Sequence, residues 1–148
     1  MIRRTAREIV LQSLFQMDFT DAGPEEALEI ALEVQNEDEG AKNPAAHRAE
    51  VAKALPYARQ VLEGTETNLE AIDGLIAKYA LNWDVKRMPG IDRNILRLAI
   101  YEMCFAGEKV PVNIAVNEAV ELAKEFGSDA SSRFVNGILG KMMRDQQG

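Results

Sequence analysis

The chain is predicted to be all-α, and three observations carry that expectation. Apolar residues recur at i, i+3, i+4 and i+7 through most of its length. Ala, Leu, Glu and Lys are abundant and aromatic residues make up only 6%, a balance that favours helix over strand. Pro24, Pro44 and Pro111 each open a periodic stretch, where a preset φ and a missing N–H suit a first helical turn. The length of 148 residues fits one domain, 1–148, and such a chain buries roughly two-thirds of its unfolded surface.

Each element follows from local signals. Thr5-Ala6-Arg7-Glu8 has the form of a capping box, so the first helix is expected from Thr5 to about Asp18. On its wheel Ala6, Ile9, Val10, Ser13, Leu14 and Met17 share the sector that must face a core. Leu11, Phe15 and Phe19 fall on the other side with Arg4 and Glu8. A second helix should run from Pro24 to near Gln35, its acidic first turn matching the positive end of the helix dipole. Residues 36–43 read as a polar loop. Pro44 opens a long helical region reaching about Tyr79, which Pro56 should kink or interrupt and Gly64-Thr65 should divide again. Trp83 to Pro89 reads as a connection with one short turn. Ile91 to Phe105 is apolar over most of its circumference and belongs at the centre of the bundle.

Two amphipathic helices complete the set. Val112, Ala115, Val116, Ala119, Leu122, Ala123 and Phe126 form one stripe. Gly127 supplies the stop, and Ser128 and Asp129 offer oxygens to start the next helix. There Phe134, Val135, Ile138, Leu139 and Met142 share a face while Arg133, Lys141 and Arg144 point elsewhere.

Composition narrows the function classes. Ile95 to Phe105 is interrupted by Arg97 and Glu102, too short and too charged for a membrane span. The opening Met1 to Thr5 lacks the apolar core of a secretion signal. A single cysteine, Cys104, cannot form an internal disulfide and fits a reducing cytoplasm. The net charge is −7, but eight carboxylates and no cation lie between Asp21 and Gly40, leaving the rest about +1. Arginines gather at the start and in the stretch from Arg87 to Arg97, and salt screens distant carboxylates over about 8–10 Å, so a local basic face remains able to bind phosphate.

Catalysis has little support. His47 reads as a solvated residue beside a polar loop, and Cys104 as a small core side chain. No phosphate-binding glycine loop, dinucleotide fingerprint or HExxH is present, so no enzyme, cofactor or metal site is expected. The first helix is more informative. Leu11, Phe15 and Phe19 left at solvent would form an apolar patch of the kind that marks a partner site; the alternative is that other helices cover both faces. Arg3, Arg4 and Arg7 either are solvated or hold an anion, since guanidinium groups make forked contacts to phosphate. Arg97, in an otherwise apolar helix, is either a paired structural arginine or a phosphate contact.

Specific residues then add a resemblance. Asn117-Glu118-Ala119-Val120-Glu121-Leu122-Ala123-Lys124, Phe126-Gly127 and Phe134-Val135-Asn136-Gly137-Ile138-Leu139 resemble the C-terminal signature of the NusB family of bacterial transcription antitermination factors. Arg3-Arg4-Thr5-Ala6-Arg7-Glu8 resembles that family's arginine-rich opening, and Ile95-Leu96-Arg97-Leu98-Ala99-Ile100-Tyr101-Glu102 extends the match. Only the acidic stretch from about Asp21 to Ala46 lies outside it.

The resemblance implies a NusB-like bundle of about seven helices in two packed helical subdomains. It implies binding of boxA, a single-stranded RNA element in the leaders of ribosomal RNA operons, jointly with NusE, a small-subunit ribosomal protein. The setting would be an RNA polymerase antitermination complex in the cytoplasm. Carried over by position, Arg3, Arg4, Arg7 and Arg97 are expected at RNA. At the start of the last helix Arg133 suits a phosphate and Asn136 a base edge, while Phe134 suits a base face or, equally, the core. Glu8, Leu11, Phe15, Phe19 and Asp92 are expected at NusE. Thr5 stands where the family commonly has a further arginine, a departure expected to weaken RNA binding, and Ala130 replaces an acidic residue before Ser131. Two other uses of the same chain are a protein-only helical adaptor and the RNA-binding module of a ribosomal RNA methyltransferase, the latter requiring truncation. A homodimer burying the Leu11–Phe15–Phe19 patch would compete with NusE.

Overall fold

A computed structural model describes residues 2–37 and 40–147, with side chains through 145. Asp38 and Glu39, within the predicted polar loop, lie outside the described residues. Among the described residues the regular structure is helical, as the periodicity requires, and the chain divides into two compact units at residues 66 and 67.

The first unit holds α1 (Ile2–Phe19), α2 (Pro24–Asn36) and nearly all of α3 (Pro44–Thr67). Helix α1 begins three residues before the predicted capping box, and Thr5 lies buried inside it rather than capping it. The added turn is held laterally, because the Arg3 guanidinium lies over the Tyr57 ring of α3, 3.7 Å from its centroid. Helix α2 packs along α1 and buries Ala27, Leu28 and Ala31. Pro56 does not interrupt α3. Its ring forfeits the bond to the carbonyl of Ala52, but both residues are exposed, on a side where water replaces the missing donor. The division falls at Asn68 rather than at Gly64-Thr65, and Thr65 is fully buried.

The second unit holds α4 (Leu69–Tyr79), a 3₁₀ turn (Val85–Arg87), α5 (Gly90–Ile100), α6 (Val112–Phe126) and α7 (Asp129–Gln147). Helix α5 is its centre, packing against α4, α6 and α7. It ends earlier than predicted: from Tyr101 to Phe105 the winding widens to a π turn, closed by the Ala106 N–H donating to the Tyr101 carbonyl at 2.9 Å. A helix apolar on nearly every side keeps no periodic record of where its winding changes. Ala115, Val116, Ala119, Leu122 and Ala123 of the α6 stripe and Val135, Ile138, Leu139 and Met142 of α7 are buried as their spacing predicts, whereas Val112, Phe126 and Phe134 are half-buried. Ser128 caps α7, its Oγ accepting from the Ser131 N–H at 3.1 Å.

Candidate functional site

In the first unit, candidate residues lie along the outer edge of α1. At 3.6 residues per turn, its buried residues cover about two-thirds of the circumference, far wider than one core stripe. That arc includes Ala6, Ile9, Val10, Ser13 and Leu14 as expected, with Met17 half-buried. It also takes in Arg7 and Leu11, one turn apart on one edge and only 5% and 2% exposed. Leu11 therefore belongs to the core and not to a surface patch, and Arg7 is not presented to solvent as a phosphate ligand. The sequence assigned both to the outside because it assumed a narrow buried face. What remains outside is Arg4, Glu8, Phe15 and Phe19. Phe15 is half-buried, Phe19 is 76% exposed, and their rings pair with centroids 5.4 Å apart. Arg3 is exposed above Tyr57.

His47, read as solvated, is half-buried, and its Nε2 donates to the carbonyl of Gln35 at 2.8 Å, closing the last turn of α2. Because a carbonyl only accepts, this bond fixes the proton on Nε2.

In the second unit the features gather around the starts of α5 and α7. Asn82 adopts φ 70°, the left-handed region that Asn tolerates, and the Trp83 N–H donates back to the Ala80 carbonyl at 3.1 Å. This turn projects Trp83, 49% exposed, against Phe134 of α7 with ring centroids 5.4 Å apart in an edge-on pair. Phe134 is thus half-buried: it leaves the core face shared by Val135, Ile138 and Leu139 and joins an aromatic surface. Arg133 and Asn136 beside it are exposed.

Two residues assigned here from sequence are differently employed. The Arg97 guanidinium is clamped by Asp73 and Asn94, so it is the paired structural arginine rather than the phosphate contact. Asp92 is 5% exposed, and its Oδ1 is buried without a hydrogen-bond partner, so its carboxylate does not form part of an open protein-binding face. Sequence reasoning treated Trp83 only as part of a connection. The signal was present: the chain's single tryptophan stands in a polar segment, Asn82-Trp83-Asp84, where no core periodicity calls for a large ring. Nothing in the sequence marked Asp73 as the partner of an arginine 24 positions away.

Among the described residues no group of three His, Cys, Asp or Glu could hold a metal ion, and no helix is long and apolar enough to cross a membrane. What both units display is an outer edge of rings and guanidiniums on a helical scaffold, so the class is an all-α binding protein. Residues 4–144 match the model of the NusB family. The chain is 47% identical over 148 residues to the transcription antitermination protein NusB of Symbiobacterium thermophilum, covering 100% of this chain and 93% of that one. It superposes on the NusB of T. maritima with TM-score 0.76 and 37% identity, covering 96% and 90% of the two chains. A structure of the antitermination factors NusB and NusE in complex with double-stranded RNA shares the fold, with TM-score 0.73, 24% identity and 97% of each chain covered. The chain belongs to the NusB family.

Proposed function

We propose that this chain is a cytoplasmic transcription antitermination factor that captures single-stranded boxA RNA of ribosomal RNA operon leaders together with NusE, within an RNA polymerase antitermination complex. The chain is not an enzyme: its relatives are named for antitermination, and the work assigned to it is binding. Two kinds of contact divide that work, each described within its own unit. The Phe15–Phe19 edge of α1, with Glu8, suits a protein partner, because an exposed aromatic ridge next to charge has the make-up of an interface. Arg3 and Arg4 at the start of α1, and Arg133, Phe134 and Asn136 at the start of α7, suit RNA: cations for phosphate, a ring for a splayed base, an amide for its edge. NusE that also touches the bound RNA would couple the two affinities reciprocally.

The observation that carries the reading is the two-sidedness of α1, which buries a wide arc and still leaves a paired, exposed aromatic edge. The test is a fluorescence anisotropy titration of labelled boxA RNA with and without NusE. Tighter RNA binding in the presence of NusE is expected. RNA affinity indifferent to NusE would remove the joint capture, and no RNA binding with or without NusE would leave a protein-only adaptor. Sedimentation at the same concentrations separates these outcomes from a homodimer that occupies the α1 edge.

A further inference from the structure

Arg3 and Arg97 are held in opposite ways. Arg97 commits Nε, Nη1 and Nη2 to Asp73 and Asn94, which occupy its donors and, through Asp73, cancel its charge. The Arg3 guanidinium instead lies over the Tyr57 ring of α3, 3.7 Å from the centroid. A C–N bond aimed at the ring would bring a nitrogen to ~2.4 Å, inside contact distance, so the group meets the ring with its face. Its N–H donors then run alongside the ring rather than into it. The attraction comes from the ring quadrupole, which brings no net negative charge. Arg3 stands one turn before Arg7 on the same edge of α1. At Arg7 that edge is closed, only 5% exposed, whereas at Arg3 it is open. Tyr57 is half-buried and firmly seated, because Ala54 and Val61, at i−3 and i+4 on its side of α3, are both buried. Arg3 and Tyr57 belong to the same unit.

We infer that Tyr57 is a positioning residue for RNA: it holds the Arg3 guanidinium face-on so that the N–H fork is presented to a backbone phosphate. Three physical consequences of the contact support this. A long arginine stem loses rotamer freedom when it grips a ligand, and a stem already packed on a ring loses less. Donors lying in one plane match the forked geometry that phosphate oxygens accept. The charge stays uncancelled, as it would not if a carboxylate stood where the ring stands. The place in the helix adds a fourth. At the start of α1 the unpaired backbone N–H groups make an arginine mildly unfavourable by itself, yet they attract an anion. The ring keeps the arginine there without supplying that anion, and an RNA phosphate supplies it. This inference rests on the RNA reading above, which names Arg3, and adds to it Tyr57, which acts through Arg3 and not by touching a base.

The experiment measures the affinity of the full chain for labelled boxA RNA at low salt, in a cycle of Arg3→Ala, Tyr57→Leu and the double variant. Tyr57→Leu is expected to weaken binding about threefold, the scale of an exposed cation–π contact, and to have no further effect in the Arg3→Ala background. Tyr57→Phe, which keeps the ring and loses only the hydroxyl, should bind as the parent chain does. A residue that merely supports the fold would lower affinity equally in both backgrounds, and that result overturns the inference. So does parent-like affinity in Tyr57→Leu, or a Tyr57→Phe variant as weak as Tyr57→Leu. Arg3→Ala with parent-like affinity also overturns it, while leaving the RNA reading to Arg4 and the start of α7. Absence of any boxA binding by the parent chain defeats the RNA reading itself. Tyr57→Met, which fills more of the ring's space, carries the same cycle if Tyr57→Leu loses its helical circular dichroism.

Discussion

Arg97 and Asp73 are locked together by two parallel bonds, Nε to Oδ1 at 2.8 Å and Nη2 to Oδ2 at 2.9 Å. The remaining Nη1 donates to Asn94 Oδ1 at 3.1 Å. The pair joins α4 to α5, the central helix of the second unit, and the side chains are only 12% and 29% exposed. An arginine so committed has little to offer a phosphate. Arg97→Ala should lower stability by about 2 kcal/mol, the scale of hydrogen bonds to charged groups. That corresponds to about 5 °C in melting temperature for a chain of this size. RNA affinity measured well below the melting temperature should keep its salt dependence. A normal melting temperature combined with a flattened salt slope would return Arg97 to the RNA surface.

The three N-terminal arginines separate in the same way. If about four phosphates are neutralised, log affinity should fall against log salt with slope near −3, at about 0.7 per phosphate on a single strand. Arg3→Ala and Arg4→Ala should each flatten that slope by about 0.7. Arg7, 5% exposed on the buried arc of α1, should behave differently: Arg7→Ala lowers the melting temperature and leaves the slope alone. Measuring the slope for all three variants decides the matter, and three equal flattenings would show that Arg7 reaches RNA after all.

These divergent expectations for similar residues show what the sequence conveyed. Helix number, the stripes of α6 and α7, the centrality of α5 and the Ser128 cap were legible, because each is a local or periodic signal. The width of the buried arc on α1 was not, since a helical wheel shows which side is apolar but not how many neighbours surround it. On sequence alone Arg97 stays open between two roles, because its partner, Asp73, is distant in sequence and carries no periodic mark. The widening at Tyr101 was hidden by the uniform hydrophobicity around it. For the candidate site the residue types were readable but their company was not: Phe134 was an even choice between core and base face, and only its contact with Trp83 places it in an aromatic surface.

Leu11 and Phe19 give a paired test of the α1 edge. Leu11→Asp buries a charge at a position 2% exposed and should cost more than about 4 kcal/mol, enough to lose cooperative unfolding in a marginally stable chain. Phe19→Asp, at 76% exposure, should change stability by less than about 1 kcal/mol and weaken NusE binding by at least about tenfold, as truncation of an interface aromatic does. Isothermal titration with NusE beside thermal melts checks both. If Phe19→Asp binds NusE normally, the protein partner sits elsewhere.

Gly127, between α6 and α7, is fixed by crowding rather than by a special φ. A Cβ there would stand 2.7 Å from Ser131 Oγ, 2.8 Å from Ser131 Cβ and 2.9 Å from the Ala123 carbonyl oxygen. None of these yields easily. The Ala123 carbonyl accepts the Gly127 N–H at 2.9 Å, and the Ser131 backbone is held by the Ser128 cap at 3.1 Å. Gly127→Ala should therefore destabilise the chain by about 1–3 kcal/mol, the usual cost of forcing a methyl into a packed site. Adding Ser131→Gly removes two of the three clashes and should recover part of the loss, leaving the share due to the Ala123 carbonyl. Denaturant melts of the single and double variants measure that coupling. Additive losses would mean that the α6–α7 turn relaxes freely around the added methyl group.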